Sequence, residues 1–308
     1  MSREQRVRVD ALLRQPRPAG PQSVEAFRDR FGLTMAQMIV PDGIRTTRTT
    51  LGDRPALHVA PDNNPRPGTI LYFHGGGWVA GSPETALSMT GHLVAKTGFT
   101  SHSLDYRLAP EHPFPAAIDD AVGAYRALLD SGQDPSAIAF AGDSAGGALT
   151  VTTCLAARDA GLAMPAAIVA FSPSLDATGS GESMDTKAGI DPIFTREYLK
   201  ETIAPLYLAD QDPCQPMVSP ALSADLTGFP PMLLQAGTNE VLLDDSTRMA
   251  ARARTAGVSV ILDITADVPH VFQCFAGVLD EADAALERAA LFLTQHVRST
   301  EPAAVPAR

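Results

Sequence analysis

The chain of 308 residues carries a formal net charge of −11 at pH 7 and has a pI near 5.0, so we expect it to bind neither nucleic acid nor an anionic membrane surface. With 45% hydrophobic and 19% charged residues, it can form one large domain with a sizeable core. Three widely spaced cysteines without a CxxC pair, a charged N-terminus and the lack of ~20 consecutive apolar residues predict a cytoplasmic protein without structural zinc or a membrane span.

Residues 1–45 mix helix-forming charged stretches with prolines and predict a helical segment in front of the core. Residues Thr47–Val59 can pair as edge strands. Short apolar runs then predict further strands, which are Thr69–Phe73, Phe99–Leu104, Ala137–Ala141, Ala167–Phe171, Met232–Ala236 and Val258–Ile264. Amphipathic, helix-length patterns alternate with them, including Ala116–Leu129, Ser246–Ala256 and Glu281–Val297. This alternation predicts an α/β fold with a mostly parallel sheet, helices on both faces and a ligand site beyond the carboxyl ends of the strands.

Residues 178–228 interrupt the alternation with a helix-like stretch and a polar tail that contains prolines. We expect them to form an insertion over the sheet, which together with residues 1–45 makes a helical cap. The core then comprises residues 46–177 and 229–300. The Ala- and Pro-rich residues 301–308 are expected to be a frayed tail.

A candidate nucleophile lies in the sequence Gly142-Asp143-Ser144-Ala145-Gly146, which follows a predicted strand and precedes a helix-compatible stretch. Glycines on both sides of Ser144 permit a strained, closely packed strand-to-helix turn that exposes the serine hydroxyl above the sheet. The pattern alone is modest evidence, because short patterns of common residues also match by chance.

A glycine-rich loop follows the predicted strand Thr69–Phe73 and reads His74-Gly75-Gly76-Gly77-Trp78. Its backbone N–H groups can point at the oxygen that becomes negative during acyl transfer, since no side chain blocks the approach. A flexible loop or a phosphate-binding loop is the alternative interpretation, but the Lys-Ser/Thr pair of a phosphate loop is missing after the last glycine. His74 itself is expected to brace the loop.

A serine nucleophile needs a general base and an acid that orients it, and in this fold both follow the serine in the chain. Only His270 and His296 come after Ser144. His296 lies near the end of the last predicted helix, where a surface histidine is expected. His270 lies in a loop just past the strand Val258–Ile264, and we predict that it is the base.

The orienting acid should follow the strand Met232–Ala236, where three carboxylates compete. Glu240 comes first after the strand and is the favoured residue. Asp244 and Asp245 lie where the first turn of the next helix favours negative side chains, which is a sufficient structural reason for both. Asp244 remains the alternative to Glu240.

Three motifs in order resemble the hormone-sensitive-lipase-like (family IV) bacterial carboxylesterases of the α/β-hydrolase superfamily; they are His74–Trp78, Asp105–Ala117 and Gly142–Gly147. The resemblance implies an α/β-hydrolase fold with an eight-stranded, mostly parallel sheet and a helical cap. It also implies an oxyanion hole formed by the N–H groups of Gly75, Gly76 and Ala145. Many family members have Asp-Pro-Leu-x-Asp where this chain has Glu240-Val241-Leu242-Leu243-Asp244.

The resemblance also gives structural roles to polar residues near these motifs. Arg107 and Glu111 are expected to form a buried salt bridge. Asp143 is expected to anchor the turn around the nucleophile. The stretch Ser172–Asp176 is expected to shape the entrance to the cap.

The predicted function is hydrolysis of carboxylic esters through an acyl-serine intermediate, with Ser144, His270 and Glu240 as the catalytic residues and without a metal or cofactor. Family analogy favours short to medium acyl chains. Alternatives are hydrolysis of a lactone, amide or carbamate at the same site, or a ligand-binding protein without catalysis. The expected partner is a small-molecule ester. Dimers through the last strand and helix are common in similar enzymes, so a homodimer is a further candidate.

Overall fold

The strands of this computed structural model form one sheet within the described residues, 2–15 and 23–298. They are β1 (Ile44–Leu51), β2 (Arg54–Pro61), β3 (Thr69–Phe73), β4 (Thr100–Leu104), β5 (Ile138–Asp143), β6 (Ala167–Phe171), β7 (Met232–Asn239) and β8 (Val260–Pro269). Their order across the eight-stranded sheet is β1-β2-β4-β3-β5-β6-β7-β8. Only β2 runs antiparallel to its neighbours, so the predicted mostly parallel sheet is confirmed.

The helices of the described residues alternate with the strands from β3 onward. They are α1 (Ser2–Leu13), α2 (Val24–Met35), α3 (Leu87–Thr97), α4 (Ala116–Asp130), α5 (Ala145–Asp159), α6 (Ser183–Thr186), α7 (Arg196–Tyr198), α8 (Ala204–Leu208), α9 (Pro220–Ser223), α10 (Leu243–Thr255) and α11 (Asp280–His296). A π-helical stretch, Leu199–Ile203, connects α7 to α8. Short 3-10 turns lie at Pro135–Ala137 and Phe272–Phe275.

Helices cover both faces of the sheet, which explains why strands β3, β5 and β6 are buried at every position. In β3, Leu71 and Phe73 pack with α4, α5 and α10 on one face. Ile70 and Tyr72 pack with α3 and α11 on the other. All residues of β3 and β6 are buried, and burial of each large apolar side chain contributes about 1.5–3 kcal/mol.

Strands β7 and β8 continue beyond their predicted ends at Ala236 and Ile264. Their parallel pairing extends to Asn239 and Pro269, with an irregularity between Gly237 and Asn239. The sequence does not predict this extension because residues 237–239 and 265–267 do not continue the apolar runs. The extension places the residues that follow the two strands side by side at one end of the sheet.

Residues 178–228, between β6 and β7, carry the four short helices α6 to α9; we call this segment the β6–β7 insertion. Its Tyr207 and Leu208 form an apolar cluster with Val79 and Ala109, and Phe27 of α2 packs against that cluster. Residues 299–308, which include the predicted frayed tail, lie outside the described part of the chain. Among the helices of residues 2–15 and 23–298, none is long and apolar enough to cross a membrane.

Candidate active site

Ser144 occupies the turn between β5 and α5 in a backbone conformation that L-residues rarely adopt, with φ 54° and ψ −116°. Its own N–H donates to the carbonyl of Phe171 at 2.8 Å, which anchors the turn on β6. Gly146 is required here because a Cβ at this position would lie 1.9 Å from the Phe73 carbonyl oxygen. The strained, glycine-dependent turn predicted from the sequence is therefore present.

The segments around Ser144 leave 9% of the residue exposed. His270 contacts the hydroxyl directly. The ring of Phe194, from the β6–β7 insertion, packs edge-on against His270 with 5.0 Å between centroids. His270 thus contacts both the Ser144 hydroxyl and an aromatic ring of the insertion.

Ser144, His270 and Glu240 form a continuous hydrogen-bonded chain. His270 Nε2 lies 2.9 Å from Ser144 Oγ, and His270 Nδ1 lies 2.8 Å from Glu240 Oε2. Because an ionised carboxylate only accepts hydrogen bonds, Nδ1 carries the proton and Nε2 of the neutral ring is free to accept from the serine hydroxyl. All three residues are buried. The geometry permits transfer of the serine proton to His270.

The carboxylate of Glu240 is held by groups on three different segments. Its Oε1 accepts the N–H of Gly237 at 2.5 Å and the hydroxyl of Ser172 at 3.0 Å. Ser172 Oγ in turn accepts the N–H of Val271, the residue after the histidine, at 3.0 Å. Ser172 therefore connects the acid to the loop of the base.

Asp244, the alternative acid, lies away from this chain of hydrogen bonds. Its Oδ2 accepts the N–H of Ser183 at 2.8 Å, which ties the first turn of α10 to the insertion. Asp245 is fully buried and accepts the N–H groups of Leu175 and Asp176 at 2.6 and 2.9 Å. Burial raises the pKa of Asp245 well above its usual range. The structure thus brings Glu240, and not Asp244, to His270.

The predicted oxyanion donors lie in the glycine loop after β3 and in the first turn of α5. Gly76 has a φ of +117°, and a Cβ there would lie 2.2 Å from the Ala80 carbonyl oxygen, so a glycine is needed. Ala145 is the first residue of α5, and N–H groups in a first helical turn lack carbonyl partners within their own helix. Gly75 also requires a glycine, because a Cβ there would lie 2.2 Å from Asp143 Oδ2.

Comparisons of the sequence and of the structure with known proteins indicate the same family. Residues 70–274 match the family model of the alpha/beta hydrolase fold. An esterase structure from the bacterial hormone-sensitive lipase family superposes with a TM-score of 0.92 at 40% identity, covering 96% of this chain and 99% of that one. The chain belongs to the bacterial hormone-sensitive-lipase family of α/β-hydrolase-fold esterases.

Further relatives support this family of esterases. The acetyl-hydrolase of Streptomyces hygroscopicus is 41% identical over 225 residues, which are 73% of this chain and 75% of that protein. The esterase of Acinetobacter venetianus is 37% identical over 73% of this chain and 74% of its own length. A hormone-sensitive lipase from a metagenome library has a TM-score of 0.91 at 38% identity, over 97% of this chain and 99% of that one. The predicted fold and the predicted class, serine carboxylesterase, are confirmed.

His74 and Asp143, two polar residues of the esterase motifs, support the backbone of the site. The His74 ring stacks on Tyr106 at 4.1 Å, and its Nδ1 donates to the Gly75 carbonyl at 2.8 Å. Burial lowers the pKa of His74 to about 4, so the ring is neutral near pH 7. Asp143 accepts the Tyr72 hydroxyl at 2.8 Å, and burial raises its pKa to about 6.

The expected salt bridge between Arg107 and Glu111 is wrong. Arg107 pairs instead with the buried Asp120 of α4, at 2.7 Å from Nη2 to Oδ1. Glu111 is largely exposed and pairs with Arg28 of α2 at 2.6 Å. The reason is tertiary, since α4 brings Asp120 to Arg107 while α2 brings Arg28 to Glu111 from a remote part of the chain.

His296, the other histidine after Ser144, lies on α11 with its Nδ1 2.9 Å from the Phe292 carbonyl, and the residue is partly buried.

Ser172 is the functional residue that the sequence analysis missed, because its motif suggested only the entrance of the cap. We expect Ser172→Ala to lower kcat for a p-nitrophenyl ester by roughly 10-fold, because Glu240 loses one of its two orienting donors and the Val271 N–H loses its acceptor. Steady-state kinetics on the purified variant check this. Ser174→Ala is the control, since Ser174 contacts Ser144 through its backbone N–H; equal losses in both variants would contradict the role of Ser172.

Proposed function

We propose that Ser144, His270 and Glu240 hydrolyse carboxylic esters with short to medium acyl chains through an acyl-serine intermediate. The hydrogen-bonded chain from Ser144 through His270 to Glu240, at 2.9 and 2.8 Å, is the observation that carries this proposal. Membership of an esterase family supports the same reaction. A mechanism of acyl transfer follows from the positions of these atoms.

The first half of the reaction forms the acyl-enzyme. His270 Nε2 takes the hydroxyl proton as Ser144 Oγ bonds to the ester carbonyl carbon, and Glu240 keeps the proton of Nδ1 in place. The carbon–oxygen bond to the alcohol then breaks, and the alcohol leaves with the proton held by Nε2. In the second half, Nε2 takes a proton from water as the water oxygen bonds to the acyl carbon. The bond from that carbon to Ser144 Oγ then breaks, Nε2 returns its proton to Oγ, and the acid is released.

The developing oxyanion needs backbone donors, each worth about 3 kcal/mol in the transition state. Ala145 and Gly76 serve as two of them in this proposal. Gly75 is the third donor in this proposal, as the glycine-loop motif suggests, and only a glycine fits there because an added Cβ would lie 2.2 Å from Asp143 Oδ2.

The preference for short to medium chains rests on side chains that approach the site from the β6–β7 insertion. Phe194 packs on His270, and Ile203 lies against Gly77, where an added Cβ would be 3.1 Å from Ile203 Cγ2. Trp78, next in the loop, stacks on Tyr207 at 4.2 Å. These contacts place large side chains next to the base and the glycine loop, which supports a limited length of the acyl chain.

The insertion and the N-terminal helices act together as a helical cap in this proposal. Arg14, just after α1, donates to the carbonyls of Gly189 and Ile190 in the insertion, at 3.2 and 2.6 Å. Arg28 of α2 donates to the Val79 carbonyl, close to the glycine loop, at 2.7 Å. The core to which this cap belongs comprises residues 46–177 and 229–300.

A panel of p-nitrophenyl esters tests the proposed substrate class. We expect higher kcat/KM for the acetyl and butyryl esters than for the palmitoyl ester, because Phe194 and Ile203 limit the space for the acyl chain. A lactone, an amide and a carbamate measured in parallel test the other hydrolase specificities. Fastest cleavage of the palmitoyl ester would rule out the chain-length preference, and lack of cleavage of every ester would rule out the function.

The compartment and the oligomeric state are further parts of the proposal. The three cysteines are free thiols, which supports a reducing compartment, the cytoplasm; they are Cys154, Cys214 and Cys274. Recovery of the protein in another cell fraction would contradict this.

Strand β8 lies at an edge of the sheet with Ile261 and Ile264 exposed, which supports a homodimer through β8 and α11. Light scattering that gives the mass of a monomer would contradict the dimer.

A further inference from the structure

A buried carboxylate in the β6–β7 insertion connects the loop of Glu240 to the residue that covers His270. Asp191 is 6% exposed, and its Oδ2 accepts the N–H of Val241 at 2.9 Å. Its Oδ1 accepts the N–H groups of Ile193 at 2.7 Å and of Phe194 at 3.0 Å. One side chain thus holds both the residue next to Glu240 and the residue whose ring packs on His270.

Ser183 makes a second connection between the insertion and the same loop. Its Oγ donates to the Val241 carbonyl at 2.6 Å and accepts the Asp244 N–H at 3.1 Å. The N–H and the carbonyl of Val241 are therefore both bonded to the insertion. These bonds hold the backbone directly after Glu240 against the insertion.

Such a restraint has a chemical reason in this chain. A glutamate has one more rotatable side-chain bond than an aspartate, so more conformational entropy is lost when its carboxylate is held in one position. A fixed backbone reduces the number of carboxylate positions in which Glu240 does not bond to His270. The connection also requires an N–H at position 241, which Val241 provides and a proline would lack.

We propose that Asp191 is a positioning residue for ester hydrolysis: by holding the Val241 N–H and the Phe194 N–H, it sets the place of Glu240 relative to His270. The β6–β7 insertion is then part of the catalytic apparatus and more than a cover for the substrate. This role rests on the proposed function, because it acts through the assigned acid and base.

The first test is Asp191→Asn, which keeps the size of the side chain. Asparagine has one acceptor oxygen, and its NH₂ group cannot accept from an N–H, so the bond to Val241 or the bonds to Ile193 and Phe194 are lost. We expect kcat to fall by roughly 10-fold to 100-fold with KM changed by less than about 2-fold, since the acid is displaced and the substrate contacts remain.

Asp185→Asn is the matched control for this substitution. Asp185 lies in the same insertion, but its carboxylate is 72% exposed and pairs with Arg196 at the surface. Exposed ion pairs contribute little to stability, so we expect kcat within about 2-fold of wild type. Equal losses in the two variants would show a general effect of insertion mutations and would overturn the role of Asp191.

A double-mutant cycle with Glu240→Gln separates positioning from a merely structural effect. If Asp191 acts through Glu240, adding Asp191→Asn to Glu240→Gln should lower kcat by less than about 2-fold further. Full additivity of the two losses would overturn the proposal. Circular dichroism and thermal unfolding establish that each variant is folded.

Ser183→Ala decides the matter if Asp191→Asn does not give folded protein, because it breaks the other connection to Val241. A reduced kcat that is again not additive with Glu240→Gln supports the proposal, and an unchanged kcat overturns it. The activity of the wild type distinguishes failure of the positioning role from failure of the proposed function. An active wild type with an unchanged Asp191→Asn variant contradicts the positioning role alone, whereas a wild type inactive on every ester overturns the proposed function and this role with it.

Discussion

Ser144→Ala is expected to lower kcat for p-nitrophenyl butyrate by roughly 10⁴-fold or more, because the acyl-enzyme cannot form without the Ser144 oxygen. His270, 2.9 Å away, then has no hydroxyl to deprotonate. Labelling by a fluorophosphonate should disappear in the same variant. The backbone donors and the binding site remain in this variant and should give a low residual rate of ester hydrolysis. This rate is compared with that of the uncatalysed reaction.

Ser144→Gly is the matched control for folding. Both variants lack the nucleophile, but glycine adopts the backbone conformation at φ 54° and ψ −116° without the strain imposed on a residue with a Cβ. We therefore expect the glycine variant to be inactive and more stable than the alanine variant, by about 1 kcal/mol in urea unfolding. Fluorophosphonate labelling that persists in Ser144→Ala would place the nucleophile on another residue.

Glu240→Gln is expected to lower kcat by roughly 10³-fold or more, with the protein still folded. Glu240 accepts three hydrogen bonds, from Gly237, Ser172 and His270, and a glutamine has a single acceptor oxygen. If its NH₂ group faces His270 Nδ1, the ring proton moves to Nε2, which can then no longer accept the proton of Ser144. The loss should appear in kcat more than in KM, because Glu240 is fully buried and acts through His270.

Asp244→Asn is the comparison that decides between the two carboxylates. Asp244 accepts the Ser183 N–H and lies in the first turn of α10, so we expect its loss to change kcat by only a few-fold. Steady-state kinetics of the two variants under the same conditions make the comparison. A large loss in Asp244→Asn together with an active Glu240→Gln would assign the acid to Asp244.

Local patterns predicted the elements whose environment is uniform. The bounds of β3 and β6 agree with the apolar runs Thr69–Phe73 and Ala167–Phe171, because helices cover both faces and every residue is buried. The end of β8 could not be predicted in the same way. That strand lies at the edge of the sheet, and its polar, exposed residues are held in it by pairing with β7.

In the candidate site, too, residues defined by local motifs were predicted and residues defined by tertiary contacts were not. Chain order and the strand-to-helix turn were sufficient to select Ser144 and His270, since each is restricted by its own short motif or by elimination. Ser172 and Asp191 were not found as parts of the site because their significance lies in contacts with residues about 50 to 100 positions away. A sequence pattern shows that such a residue is polar and does not show which atom it meets.

The sequence by itself determined the strand-to-helix turn of Ser144, the glycine loop, the alternation of strands and helices and the order of nucleophile, acid and base. These features depend on backbone conformation and hydrophobic periodicity, which neighbouring residues set locally. Only the tertiary structure decided that Arg107 pairs with Asp120, that Gly75 faces Asp143 and that the β6–β7 insertion holds the loop of Glu240 through Asp191. The physical reason is that a hydrogen bond depends on distances of a few tenths of an ångström between segments, and those distances exist only after the chain has packed.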